Sequence, residues 1–164
     1  MSETLVNIIL WLFVINLGIA FGAGLYESRI VVPQWLSYSP ESGYRWNSDA
    51  ARRANVGLRF WVYVTTVPLT LLTLASLVVA WWTSEIIRVW WLSAAVAAVL
   101  DRVMTFAYFI PTMLKLMSND GFGESEAVAK ASQWANRAYL RHAATLVAWL
   151  AALMAFSLMG KHVG

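Results

Sequence analysis

The chain contains no cysteine. Disulfides, thiolate metal sites and cysteine nucleophiles are therefore excluded, and cysteine usage carries no signal about redox compartment. Histidine is scarce too: His142 and His162 are the only two, at opposite ends of one apolar block. That separation excludes a bis-histidine haem within one chain. With no HxxH or ExxH pair, a ferritin-like di-iron site is not expected. Charged residues make up only 13% of the chain, against about 25% in soluble domains. The net charge of +3 is spread out, and no Lys/Arg block points to nucleic acid. No Gly-rich phosphate loop, Ser-His-Asp arrangement, internal repeat or low-complexity tract is legible. The N-terminus lacks a basic n-region, and its apolar block is long for a signal peptide, so it reads as a retained first helix.

What remains is apolar. The chain is 60% hydrophobic with a mean hydropathy of +0.60. Four blocks reach or approach the roughly 20 residues that cross a bilayer as helix: Leu5 to Tyr26, Phe60 to Ser84, Val89 to Leu114 and Ala143 to Gly160. A soluble bundle would alternate apolar and polar residues at helical spacing, whereas these blocks are apolar on nearly all sides. The predicted fold class is all-α: an integral membrane bundle of four transmembrane helices with an extramembrane helical extension. It forms one membrane domain over residues 1–164. The spans are expected at 5–26, 60–84, 89–114 and 138–160, with long connections at 27–59 and 115–137.

Only Glu85 to Arg88 joins the second and third spans, which makes a tight antiparallel hairpin. The two long connections then share one side of the membrane. That side carries Arg29, Arg45, Arg52, Arg53, Arg59, Lys115, Lys130, Arg137 and Arg141, against Arg88 and Lys161 on the other. The positive-inside rule places the long connections in the cytoplasm of a multi-pass protein of the inner or plasma membrane. Pro33 argues against an uninterrupted helix in the first connection. Ser37 to Gly43, with Pro40, is turn-rich. Asn47-Ser48-Asp49 reads as a helix N-cap, and from Ala50 the pattern runs into the second span without a breaker. Pro68 predicts a kink that neighbouring helices can tolerate. Ser118 to Gly123 reads as a loop, followed by a helix from Glu124 that leads into the last span.

Asp101 and Arg102 are the only charges in the 26 residues from Val89 to Leu114. Near a bilayer midplane each would cost at least about 2.5–3.5 kcal/mol unpaired, so such residues face a bundle interior or a wet cavity. Neighbours on a helix diverge by about 100°. Asp101 is therefore expected to find another partner, such as Arg59, Arg137 or Arg141, and Arg102 to look toward Glu27. Helical spacing also aligns polar stripes. Asp101, Thr105, Tyr108 and Thr112 share one face, continued by Ala94, Ala97 and Ala98. Arg52, Arg59, Tyr63, Thr66, Thr70 and Thr73 share a second. Trp134, Arg137, Arg141 and Thr145 share a third, with His142 beside it. Asn16, Ala20, Ala23 and Glu27 share a fourth. Such stripes serve helix packing more often than chemistry, and Asp101 could be a mere clasp. A network of several arginines and two acids nevertheless suits an anionic or enolic group. A single metal at Glu27, Asp101 and His142 is the weaker alternative.

Ten tryptophans are present. Trp81, Trp82, Trp90 and Trp91 flank the hairpin and read as an interfacial belt. Trp35, Trp46, Trp61 and Trp134 lie near the arginines, as a second belt or as an aromatic wall for a planar ligand.

Gly22-x-Gly24-x-Tyr26-Glu27 followed by Pro33-x-Trp35, then Tyr108-Phe109-x-Pro111 with Lys115-Leu116, then Trp134 with Arg137, Arg141 and His142 form a set. This set resembles the helix signatures of the anthrone oxygenase-like small four-helix membrane proteins, most of which have no assigned activity. The resemblance implies oxidation of an anthrone to an anthraquinone by O₂ with no metal and no organic cofactor. Such chemistry needs a base, a donor for the oxyanion and an aromatic, water-poor pocket. The base candidates are Asp101, Glu27 and His142, in that order. Arg102, Arg137, Arg141 and Arg59 are the oxyanion candidates. Tyr108, Tyr63, Trp35, Trp61 and Trp134 complete the substrate-binding set.

Two functions follow. One is a membrane oxidoreductase or binder, whose partners are membrane lipid and a lipophilic aromatic or quinone-like small molecule. The other is a non-catalytic subunit or scaffold, within a homo-oligomer or a larger membrane complex. Transport is a distant third. The first requires a cavity bounded by Asp101, Tyr108, an arginine of the last helix and at least one of Trp35, Trp61 or Trp134.

Overall fold

The computed structural model describes residues 2–41, 43–118 and 122–161. His162 and the stretch Asn119 to Gly121 of the expected loop lie outside them. Five helices and one small hairpin make up the fold. Four of the helices are long and apolar enough to cross a membrane: α1 (Glu3–Trp35), α3 (Gly57–Trp82), α4 (Glu85–Met117) and the apolar run Glu124–Gly160 of α5 (Glu124–Lys161). The short α2 (Ser48–Ala54) lies between α1 and α3.

The four long helices close a ring in which α1 packs on α3 and α5, and α4 packs on α3 and α5. Alanines make the α4–α5 contact close. Ala94 and Ala98 on one side and Ala148, Ala152 and Ala155 on the other are fully buried, and small residues let helix backbones approach in this way. Leu10, Phe13, Leu17 and Leu69 fill the rest of this core. Trp91 belongs here as well, with none of its surface exposed. It is therefore not part of the hairpin belt, whose members Trp81, Trp82 and Trp90 do face outward. Arg88 staples the hairpin turn by donating to the Thr83 carbonyl at 2.8 Å, with its guanidinium over the Trp81 ring.

Three prolines shape the other half of the bundle. Pro33, Pro68 and Pro111 are each the second residue of an α-helical stretch that directly follows a π-helical one. The π stretches are Glu27–Val31, Gly57–Thr66 and Thr105–Phe109. A proline lacks the N–H for its α-helical bond, and its ring crowds the carbonyl four residues back. Widening the preceding turn to i→i+5 bonding relieves both. Pro33 consequently does not end the first helix, which runs on to Trp35. The carbonyl that Pro68 cannot reach is that of Val64, and Asn16 Nδ2 donates to it at 2.8 Å.

The turn-rich piece is a hairpin. Strand β1 (Leu36–Ser39) pairs antiparallel with β2 (Gly43–Trp46), Leu36 opposite Trp46 and Ser39 opposite Gly43. Gly43 turns the chain at φ +70°, a conformation that glycine adopts without penalty. Tyr38 and Tyr44 pack across the strands, 5.0 Å between ring centroids. Trp46 Nε1 ties the hairpin to α4 by donating to the Leu116 carbonyl at 3.0 Å.

Asn47 is the N-cap of α2, accepting from the Ala50 N–H at 2.9 Å. Arg52, hydrogen-bonded to Asp49, holds that exposed carboxyl below the usual range. The helix does not continue into the second span as the pattern suggested. Asn55 ends it in a left-handed conformation, φ 44° and ψ 41°, which asparagine tolerates better than most residues. The chain then re-enters helix at Gly57.

Candidate functional site

The three π stretches meet one cavity. It has a volume of about 510 Å³ and lies among α1, α3, α4 and α5, with Ala51 and Arg52 of α2 across its end. Glu27, Trp61, Thr105 and Phe109 come from the widened turns, one helix after another. π-Helical insertions recur at functional sites because they aim side chains out of α-helical phase.

Two ion pairs sit in the wall. Asp101 is paired with its neighbour: Arg102 donates to Asp101 Oδ2 from Nε at 2.9 Å and again from Nη2. Thr145 Oγ1 lies 3.3 Å from Asp101 Oδ1. The expectation that Asp101 would turn to Arg59, Arg137 or Arg141 is therefore wrong. Adjacent Cβ atoms do diverge, but the arginine stem is long enough to curl back and present its fork to the carboxylate. The second pair joins Glu27 to Arg141, not to Arg102, with Oε2 and Nη2 3.5 Å apart. Trp61 Nε1 donates to the other oxygen of Glu27 at 2.8 Å. The Arg141 guanidinium lies over two rings, 4.6 Å from the Phe109 centroid and 5.5 Å from that of Trp61. Stacking of this kind favours a guanidinium over an ammonium. Arg102 Nη1 is buried and has no hydrogen-bond partner.

Aromatic rings supply the remaining wall: Trp35, Trp61, Phe109 and Trp134. Trp134 is fixed by its Nε1–H, which donates to the Phe109 carbonyl at 3.1 Å. That carbonyl lies at the end of the π stretch, where regular helix bonding changes register. His142 also borders the cavity, and its Nε2 lies 2.8 Å from Ser28 Oγ. Its ring lies against Gly24, where a Cβ would stand 2.7 Å from Cε1.

Of the residues singled out in the sequence, Glu27, Asp101, Arg102, Arg141, His142, Trp35, Trp61 and Trp134 meet at this cavity. Arg59, Tyr63, Tyr108 and Arg137 do not line it. Tyr63 is 73% exposed and Arg59 also faces outward. Arg137 is exposed, its guanidinium 4.6 Å from the Tyr108 ring centroid. On α5, which has no π stretch, Ala138 takes the inward position instead of Arg137, whereas on α3 and α4 the π stretches shift the faces. Each inserts about one residue per turn relative to α-helix, so the inward face of α4 runs Asp101, Thr105, Phe109, Met113 instead of passing through Tyr108 and Thr112. Phe109 was missed for that reason, and Pro111 two residues on was the available signal. Trp46 was a candidate for the wall but is spent on the hairpin bond. Among the described residues no three of His, Asp and Glu cluster as metal ligands, so the alternative metal site at Glu27, Asp101 and His142 is not assembled.

The cavity opens sideways. Leu58 of α3 and Leu114 of α4 line it and are yet exposed. Nearer the hairpin, α3 and α4 pack together. The exposed part of the lining is carried by α3 and α4, together with Arg52 of α2.

No family model, curated protein or solved structure matches the chain. The function has to be argued from the site.

Proposed function

We propose that this chain is a four-span integral membrane protein that binds a flat, lipophilic, quinone-like or enolic aromatic molecule in the cavity. We further propose that it oxidises such a molecule with O₂ as an anthrone oxygenase-like enzyme. The observation that carries the reading is the pairing of Glu27 with Arg141 against an aromatic wall, beside an opening lipped by exposed leucines. A membrane-dissolved ring enters sideways between α3 and α4, stacks on the tryptophans and places its oxygen by a guanidinium. The long, basic connections lie on the cytoplasmic side.

Glu27 takes the role of base ahead of Asp101. Asp101 already accepts two bonds from Arg102, with Thr145 beside its other oxygen. The Glu27–Arg141 contact is longer, and the Glu27 carboxylate gives up a single contact to its arginine where Asp101 gives up two. Glu27 removes an acidic proton from the ring methylene that lies across the central ring from the substrate carbonyl. Arg141 stabilises the enolate oxygen. The electron-rich carbon reacts with O₂ to give a hydroperoxide, which loses water and leaves the new carbonyl. One O₂ is consumed and one water released per substrate, so no other oxidant is required.

The test is O₂ uptake by the protein in nanodiscs with anthrone as substrate. Glu27→Gln should lower the rate by about 10²–10⁴-fold, the usual contribution of a positioned base. Asp101→Asn should lower it less. An unchanged rate in Glu27→Gln rejects the base assignment.

One observation favours a second reading, a structural subunit. Both buried carboxylates are paired within the chain, as a packing clasp requires. On that reading neither anthrone nor a quinone binds saturably, and the protein leaves the membrane in a larger complex.

A further inference from the structure

A second concavity runs along the same α3–α4 seam. It has a volume of about 500 Å³ and is almost wholly apolar. Thr70, Thr73 and Leu74 of α3 face Val99, Val103 and Phe106 of α4 across it. The main cavity uses Thr65 and Thr66 of α3, and Thr105 and Ile110 of α4. On α3 the linings of the two spaces are about one helical turn apart at 1.5 Å per residue, and on α4 they share the turns around Arg102. Arg102 lines both. Its Nη1 is buried and has no acceptor among the described residues. Leu74, Val103 and Phe106 are exposed, so the groove is open along its length to whatever surrounds the bundle.

We propose that the ligand is an amphiphile: a ring seated in the cavity, carrying a hydrocarbon or isoprenoid chain that leaves past Arg102 and lies in this groove. The inference rests on the proposed ring site and adds the chemical class of its occupant. Three observations select a tail that is part of the ligand. The groove adjoins the cavity at a shared lining residue, Arg102. Its polarity falls from two ion pairs to almost none along the seam, matching a molecule polar at one end. Arg102, which lines both spaces, carries an unsatisfied Nη1, and a ring oxygen beside the chain would supply its missing acceptor. An apolar chain moved from lipid into the groove gains little from leaving lipid, because both are apolar. The gain comes from packing between α3 and α4, and from tethering the ring at its site.

The test compares 1,4-naphthoquinone with the same ring bearing a decyl chain, for the protein in phosphatidylcholine nanodiscs. Saturable quenching of tryptophan fluorescence is read, with concentrations expressed per lipid so that partitioning cancels. The tailed ring should bind at least about tenfold more tightly to the wild type. Val103→Trp and, independently, Leu74→Trp fill the groove from outward-facing positions that tolerate a large apolar residue. Each should remove that preference and leave the affinity for the tailless ring unchanged. Equal affinity of the two rings for the wild type overturns the tail and keeps the ring site. A preference that survives in both groove variants also overturns the tail, placing the chain in bulk lipid. Failure of both rings to bind overturns the ring site and the tail with it.

Discussion

Gly24 and His142 leave no room for a Cβ between them: one built on Gly24 stands 2.7 Å from Cε1 and 2.8 Å from Nδ1 of the imidazole. The ring meets Ser28, one turn further along α1, at 2.8 Å. Gly24 and Ser28 thus form a seat in α1 for a histidine from α5. Gly24→Ala should force the ring out of that seat and cost about 1–3 kcal/mol, the usual range for overpacking. Thermal unfolding in detergent measures it. Gly22→Ala is the control, since nothing lies within 4 Å of a Cβ there, and it should be near neutral or slightly stabilising.

Asn16 and Pro68 are coupled through a carbonyl that neither owns. Asn16→Leu removes the donor to Val64, whose α-helical partner would be the absent N–H of Pro68. Loss of this part-buried bond should cost about 0.5–1.5 kcal/mol, the usual net worth of a hydrogen bond. Pro68→Ala restores a backbone donor, so Asn16→Leu should cost less in that background. A double-mutant cycle on unfolding free energy reads the coupling. Additive effects would contradict the account of the π stretch in α3.

The bundle was legible because its physical signal is strong. Apolar blocks on all sides of a helix, a tight hairpin and an Asn47 cap all appear in the structure, although the hairpin turns at Thr83 and Ser84, and Glu85 to Arg88 already belong to α4. The misplaced faces of α3 and α4 have one cause in common. Stripes drawn at α-helical spacing assume a constant period, and the π stretches before Pro33, Pro68 and Pro111 break it. That is why Tyr63, Arg59 and Tyr108 were assigned to the cavity and Phe109 was not. The break at Asn55 was invisible because asparagine rarely ends a helix as decisively as glycine. The Asp101–Arg102 pair was misjudged because backbone geometry was allowed to stand for a side chain with several free torsions.

Those two residues also make a prediction about stability. Removing one partner of a buried pair leaves the other charge uncompensated, at a cost of about 3–5 kcal/mol. Asp101→Asn and Arg102→Met should each approach that loss in thermal unfolding. The double substitution should recover much of it. A double variant as unstable as the sum of the singles would mean that each charge has another essential partner.

Trp61 holds Glu27 and stacks on Arg141. Trp61→Phe keeps a ring but loses the Nε1–H. Oxygen uptake with anthrone should change with little loss of ring affinity, because the carboxylate is less firmly placed while the wall remains. Equal falls in rate and affinity would assign Trp61 to the wall alone.

The central claim is that the space between the two ion pairs holds a flat aromatic molecule. It is tested most directly by titrating the protein in nanodiscs with 1,4-naphthoquinone and following tryptophan fluorescence. The account predicts saturable quenching in the wild type and its loss in Ala20→Phe, which fills the cavity from α1. Linear, non-saturating quenching of equal slope in both proteins would contradict it.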